Sequence, residues 1–185
     1  MANPYETDLD QNEANYQPLT PLAHLERAAL VFPDHVAVIH GTLRMSYSTL
    51  YERSRRLASA LAAEGIGEGD TVSVMLSNTP AMLEAHHGIP MTGAVLHSLN
   101  TRLDPAIVAF QLDHADSKVF IVDREFSSIA AEALKLATVK PLVIDYDDPE
   151  YPADAPAPKG ERIGSKDYEE FLSAGSADFT RVGPA

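Results

Sequence analysis

The chain has 185 residues, 45% hydrophobic and 22% charged, enough to bury a core within the size of one domain. A formal net charge of −13 argues against a nucleic-acid binder, which needs clustered Lys and Arg to neutralise phosphate. Cysteine is absent, so disulfides and thiolate metal ligands are excluded, and no apolar run approaches transmembrane length.

The N-terminal residues 1–18, "MANPYETDLDQNEANYQP", are acidic and polar. They lack the basic start and apolar core of a secretory signal, which makes the cytoplasm the expected location. They read as an extended arm that needs a partner surface to become ordered. A helix is expected from "TPLAHLERAAL", with Thr20 as N-cap and Pro21 at its first position, ending before Pro33. "HVAVIHGTLRMS" reads as a hairpin turning at Gly41 and Thr42. "SYSTLYERSRRLASALAAEGIG" puts Leu50, Ser54, Leu57 and Leu61 on one helical face and Glu52, Arg55 and Arg56 on the other. Ser46 can cap its start and Gly65 can close its end.

Beyond that helix the strand signal "TVSVML" leads to a helix from Pro80 to about Met91, with Asn78 or Thr79 as cap. "AVLHSL" is a short strand, and "DPAIVAFQLDHA" a helix opened by Asp104 and Pro105. "SKVFIVD" and "KPLVID" read as strands separated by the helix "REFSSIAAEALKLA". This alternation implies βαβ crossovers and hence an α/β fold, a mostly parallel sheet with helices on both faces. The expected division is an arm over 1–18, an α/β subdomain over 19–145, and a Pro-rich acidic loop, short helix and tail over 146–185. Ser165 is the expected cap of the short helix in "SKDYEEFLSAG".

Most chemical signatures fail. "GIGEGD" follows a helix and precedes a strand, the reverse of the dinucleotide-binding order, and reads as a helix end and tight turn. No P-loop and no G-x-S-x-G elbow occurs. His86 and His87 are adjacent on a helix, so their side chains diverge and rarely share a metal. The acidic run Asp145, Asp147, Asp148 and Glu150 lacks the glycine and terminal Glu of a calcium loop and reads as a solvated turn. A receiver domain would use Asp123 or Asp145 at a strand end. Receivers begin with a strand and an acidic pair, whereas this chain begins with an arm, a helix and a hairpin.

The stretch from "MSYSTLYERSRRLASALAAEGIGEGD" through "TVSVMLSNTPAMLEAHHGIPMTGAVLHSLNTRL" resembles the opening of the adenylate-forming superfamily, in particular acyl-CoA synthetases of the fatty-acid and methylmercaptopropionate type. Met45–Leu50 matches the first core motif of these enzymes, with Thr49 where Glu is usual, and Met91–Asn100 resembles the second. The resemblance implies a ligase that activates a small carboxylic acid with Mg-ATP as an acyl-adenylate and transfers it to coenzyme A. It also implies a truncated N-terminal subdomain: the family's phosphate loop, magnesium motif, ribose-binding Asp and catalytic Lys lie downstream of the matched positions. The chain alone is therefore expected to be inactive, with no catalytic and no metal residue of its own, and with the remainder of the synthetase as its partner.

Arg102 in "LNTRL" matches a family arginine that in some members approaches the phosphates of coenzyme A. An ion pair with Asp104 or a neighbouring acid is the favoured alternative. His97 and Asn100 are weaker candidates, expected to satisfy backbone groups, and Asn78 and Thr79 are expected to hold the first donors of their own helix. A sheet layer missing its neighbours is expected to leave an apolar face uncovered. Two alternatives stay open: a non-catalytic module that forms a homodimer, and the scaffold of a luciferase-like or amino-acid-adenylating enzyme.

Overall fold

A computed structural model describes residues 10, 12, 16, 20–155 and 159–182, so the expected arm lies almost wholly outside the described residues. Helix α1 (Pro21–Val31) starts as its first two residues require: Thr20 Oγ1 accepts from the Ala23 N–H at 3.3 Å, and Pro21 sits where a missing N–H costs nothing. Strands β1 (Val36–His40) and β2 (Leu43–Ser46) form an antiparallel hairpin turning through Gly41 at φ +53°. A short hairpin turn demands that left-handed conformation, and glycine adopts it without a Cβ clash. Helix α2 (Tyr47–Ala63) is capped by Ser46, whose Oγ accepts from Thr49 N at 3.2 Å. Thr49 Oγ1 lies 3.0 Å from the same Ser46 Oγ, so the shorter side chain still reaches the cap.

Five parallel strands follow in the order β4-β3-β5-β6-β7, comprising β3 (Thr71–Met75), β4 (Val95–Ser98), β5 (Ser117–Asp123), β6 (Leu142–Tyr146) and β7 (Lys166–Asp167). Helix α3 (Pro80–Met91) links β3 to β4 and α4 (Pro105–His114) links β4 to β5. A 3₁₀ turn (Arg124–Phe126) and α5 (Ser127–Leu136) link β5 to β6, and α6 (Tyr168–Ala174) follows β7. The central strand β5 is buried at six of its seven positions, as expected for a parallel strand covered on both faces.

On one face Val72, Val74, Ile121 and Ile144 pack against Leu57 and Leu61 of α2, Ala85 and Ile89 of α3, and Phe171 of α6. On the other, Phe120 and Val122 pack against Leu112 of α4 and Ala130 and Ala133 of α5. Both sheet faces are thus covered, which corrects the expectation of an uncovered one: α6 returns to the α2–α3 side and completes that layer. A third cluster, with Leu22, Leu25, Val38, Met45, Leu50 and Met91, fastens α1 and the hairpin to α2 and α3.

The segment after β6 also differs from expectation. Lys166 and Asp167 pair with Ile144 and Asp145, so the ladder takes up the residues just ahead of α6. The cap is therefore Asp167, accepting from Glu169 N at 2.9 Å and Glu170 N at 3.2 Å, and not Ser165, whose N–H donates to Val143 O at 3.2 Å. The buried Asp145 carboxylate holds this returning chain by accepting from Ile163 N at 3.1 Å and Gly164 N at 2.8 Å.

Candidate functional site

In a doubly wound sheet the chain leaves β3 toward one side and, after β4, crosses back to β5. The crevice beyond the carboxyl ends of β3 and β5 is therefore the topological switch point, where such folds hold ligands. Here that crevice has a volume of about 780 Å³ and is lined by Ser77, Asn78 and Thr79 after β3, Thr101 after β4, Glu125 and Phe126 after β5, and Asp148 and Glu150 after β6.

Its chemistry is acidic. Asp123, 1% exposed at the end of β5, accepts from Glu125 N at 3.0 Å, and burial pushes its carboxyl up to about 6. Ser77 Oγ donates to Glu125 at 2.9 Å. The nearest cations, Arg124 and Lys159, are both committed to Asp147, and they hold that carboxyl below its ordinary value against the opposing effect of burial. A triphosphate entering here would meet the carboxylates of Glu125, Asp148 and Glu150 beside the neutral side chains of Ser77, Asn78 and Thr101, so the described residues do not fit that group. No set of three His, Asp or Glu among the described residues is grouped to hold a metal ion.

The acids do something else. His40 Nε2 lies 2.8 Å from Asp148 Oδ1, Thr42 N donates to Glu150 at 3.1 Å, and Thr42 Oγ1 donates to it at 2.5 Å. The run expected to be a solvated turn is thus a clasp: Asp145 and Asp148 are buried, and Asp148 and Glu150 grip the tip of the β1–β2 hairpin. Glu150 is held below its ordinary value chiefly by the Thr42 hydroxyl.

Thr79 occupies the N-cap position of α3 but makes no side-chain cap bond. Its Oγ1 is buried without a hydrogen bond, and the Tyr146 hydroxyl is the polar group near it. The expectation that Thr79 satisfies its own helix is therefore not met. The expectation for Asn100 is met, because its Oδ1 accepts from Arg102 N at 2.9 Å. His97 instead joins side chains, its Nδ1 lying 2.9 Å from Ser73 Oγ, which is 2.6 Å from Ser117 Oγ. His86 and His87 each donate from Nδ1 to the carbonyl four residues back, Met82 and Leu83, at 2.7 and 2.8 Å.

Arg102 is exposed in the turn after β4, on the rim that carries Thr101. No acid pairs with its guanidinium among the described residues, which corrects the favoured ion pair. Asp104 instead caps α4, accepting from Ala106 N at 2.9 Å and Ile107 N at 3.0 Å.

The most buried ionic group escaped the sequence reading. Glu84 of α3, 0% exposed, accepts from Arg53 Nε at 2.5 Å, Arg53 Nη2 at 3.2 Å and the Tyr168 hydroxyl at 2.7 Å. Arg53 also donates to Glu169 at 2.6 and 2.9 Å. The signal was present, because Glu84 continues the helical stripe of Pro80, Ala81, Ala85, Gly88 and Ile89, all buried. This cluster ties α2, α3 and α6 together.

These features define a doubly wound α/β unit with an appended hairpin, whose switch-point crevice is lined by its own acidic clasp. The family model for AMP-binding enzymes matches residues 25–174, and the chain belongs to that family, within the adenylate-forming superfamily. It is 43% identical over 187 residues to a peroxisomal acetate/butyrate–CoA ligase of Arabidopsis thaliana, covering 96% of this chain and 32% of that protein. It is 40% identical over 183 residues to an acetate–CoA ligase of Humulus lupulus, covering 93% and 31%. The chain therefore spans about a third of the length of the curated relatives it matches. Its fold is that of part of an anthranilate CoA ligase solved with anthranoyl-AMP (TM-score 0.76, 17% identity, 87% of this chain, 29% of that one). It is equally that of part of a benzoate CoA ligase from Burkholderia xenovorans (TM-score 0.73, 22% identity, 89% and 30%). No helix among the described residues is long and apolar enough to cross a membrane.

Proposed function

We propose that this chain is the N-terminal scaffold of an acid–thiol ligase that activates a small carboxylic acid with Mg-ATP and passes the acyl group to coenzyme A, working in the cytoplasm. The family match over residues 25–174 carries this reading. The names of its relatives, acetate/butyrate–CoA and acetate–CoA ligases, favour a CoA acceptor over a luciferase-like or amino-acid-adenylating role. They also favour a short acid, a class that includes methylmercaptopropionic acid beside the shortest fatty acids.

Within that reading the 185-residue chain is a support and has no turnover of its own. Acyl-adenylate formation needs preorganised donors around the triphosphate, and the crevice is lined instead by the carboxylates of Glu125, Asp148 and Glu150. Arg102 is the residue suited to a coenzyme A phosphate: it is exposed on the rim, and a guanidinium without an acid partner binds phosphate bidentately.

The test is pyrophosphate release from ATP with acetate, butyrate or methylmercaptopropionate, plus coenzyme A. The chain alone should release none. A hybrid in which it replaces the matched third of the Arabidopsis ligase should turn over. In that hybrid Arg102→Ala should raise KM for coenzyme A about tenfold while leaving KM for ATP unchanged, in line with the loss of a charge-assisted hydrogen bond. Release by the isolated chain would defeat the scaffold reading, and a folded but inactive hybrid would defeat the ligase reading.

A further inference from the structure

The link between β4 and α4 is held by the core at both ends. Leu99, 4% exposed, donates its N–H to Val74 O of β3 at 2.9 Å and belongs to the same buried cluster as Leu112 of α4. Leu103 packs against that cluster, and Asp104 caps α4 through Oδ1. Between these anchors Asn100 Oδ1 accepts from Arg102 N at 2.9 Å.

This bond does not compensate for burial. Asn100 and Arg102 are both exposed, so water would serve the Arg102 N–H as well. Its consequence is conformational: an Asn that accepts two residues on closes an Asx turn and fixes the backbone between. The side chain that leaves this fixed turn is the Arg102 guanidinium, which has no acid on it among the described residues. Its phosphate affinity depends on where its stem starts. A link that sampled several backbone shapes would offer the guanidinium only part of the time, and the apparent affinity would fall by that fraction.

We propose that Asn100 is a positioning residue for coenzyme A, holding the turn from which Arg102 reaches a phosphate of that substrate. Asn100 itself touches neither coenzyme A nor the reacting atoms. The proposal rests on the reading of Arg102 as a coenzyme A contact, and the experiment keeps the two apart.

Amide exchange at Arg102 is measured in the chain, and Kd by calorimetry and KM for coenzyme A in the hybrid with the Arabidopsis remainder. Asn100→Ala should speed exchange of the Arg102 amide and weaken coenzyme A about threefold, inside the range of about two- to tenfold by which one neutral hydrogen bond shifts a turn. kcat, KM for ATP and Tm should hold. Asn100→Ser, whose hydroxyl closes such a turn more weakly, should fall between the parent and Asn100→Ala. Added to Arg102→Ala, the same change should weaken coenzyme A no further, because the turn then has nothing left to aim. Additive losses would mean that Asn100 acts independently of Arg102, and a parallel fall in kcat or Tm would mean a structural role; either overturns the proposal. If Arg102→Ala weakens coenzyme A and Asn100→Ala does not, positioning is overturned while the Arg102 reading stands. If Arg102→Ala changes nothing, both are overturned. A folded hybrid that binds coenzyme A without turnover, and shows the expected cycle in Kd, supports positioning while defeating the ligase reading.

Discussion

Arg53→Met tests whether the Glu84 cluster is the ionic pin of the helix layer. Glu84 has no exposed surface, and three donors reach its carboxylate, two from Arg53 and one from Tyr168. Removing Arg53 leaves a buried carboxylate with the Tyr168 hydroxyl alone. Breaking a buried pair in this way costs about 3–5 kcal/mol, whereas the lost contact to Glu169, whose side chain is 58% exposed, adds little. For a chain of this size each kcal/mol moves Tm by about 2–4 °C, so a fall of roughly 6–20 °C is expected.

The pH dependence gives the discriminating sign. Burial pushes the Glu84 carboxyl above its ordinary value, and Arg53 and Tyr168 pull the other way. In Arg53→Met the main pull is gone, so the folded carboxyl rises further. An acid raised in the folded state contributes stability that is present at low pH and lost as pH climbs through the folded value. The variant's deficit, read as a difference in urea midpoint from the parent, should therefore be larger at pH 8 than at pH 5. A triple variant, Arg53→Met with Glu84→Met and Tyr168→Phe, removes every member of the polar group and should recover most of the loss. A deficit below about 1 kcal/mol that stays flat between pH 5 and 8 would refute the cluster's structural role.

Asp123→Asn should change the pH profile of stability without loosening the fold, because the amide oxygen can still accept from Glu125 N. With the native carboxyl at about 6, full stability is present below the unfolded value of about 4 and is lost as pH rises through about 6. Relative to the parent, the variant should gain about 1–3 kcal/mol between pH 4 and pH 7.5 in urea unfolding; no gain would mean that Asp123 is solvated in the folded state. Gly88→Ala should destabilise the α2–α3 contact, since a Cβ there would stand 2.7 Å from Ser54 O and 3.0 Å from Leu57 Cβ. The clash costs about 1–3 kcal/mol against a helix-propensity gain of about 1, so thermal unfolding should show a lower Tm, and a raised one would contradict the close approach.

The elements legible in the sequence were those whose signals are local. Thr20 with Pro21, Ser46, and Asp104 with Pro105 mark helix starts through bonds spanning two or three residues. Gly41 and Gly65 mark a turn and a helix end through their own φ. What failed was decided by contacts far apart in the chain. Ser165 looked like a cap until the pairing of Lys166 and Asp167 with Ile144 and Asp145 moved the helix start. Glu84 reads as one polar residue in an apolar stripe, and its partners Arg53 and Tyr168 are 31 and 84 positions away. Asp104 serves the start of α4 through Oδ1 rather than pairing with Arg102.

The acidic run after β6 shows how composition misleads when the partner is distant. Counted by charge it belongs in water, yet Asp148 and Glu150 meet His40 and Thr42, each 108 positions earlier. That pairing ties the hairpin tip to the switch point, while Val38 and Met45 fasten the rest of the hairpin to α2 and α3. Anchoring the tip places carboxylates in the crevice where a doubly wound sheet would ordinarily receive an anion. A unit built in this way puts its carboxylates to structural use: the acids that crowd its switch point are the ones that hold its hairpin in place.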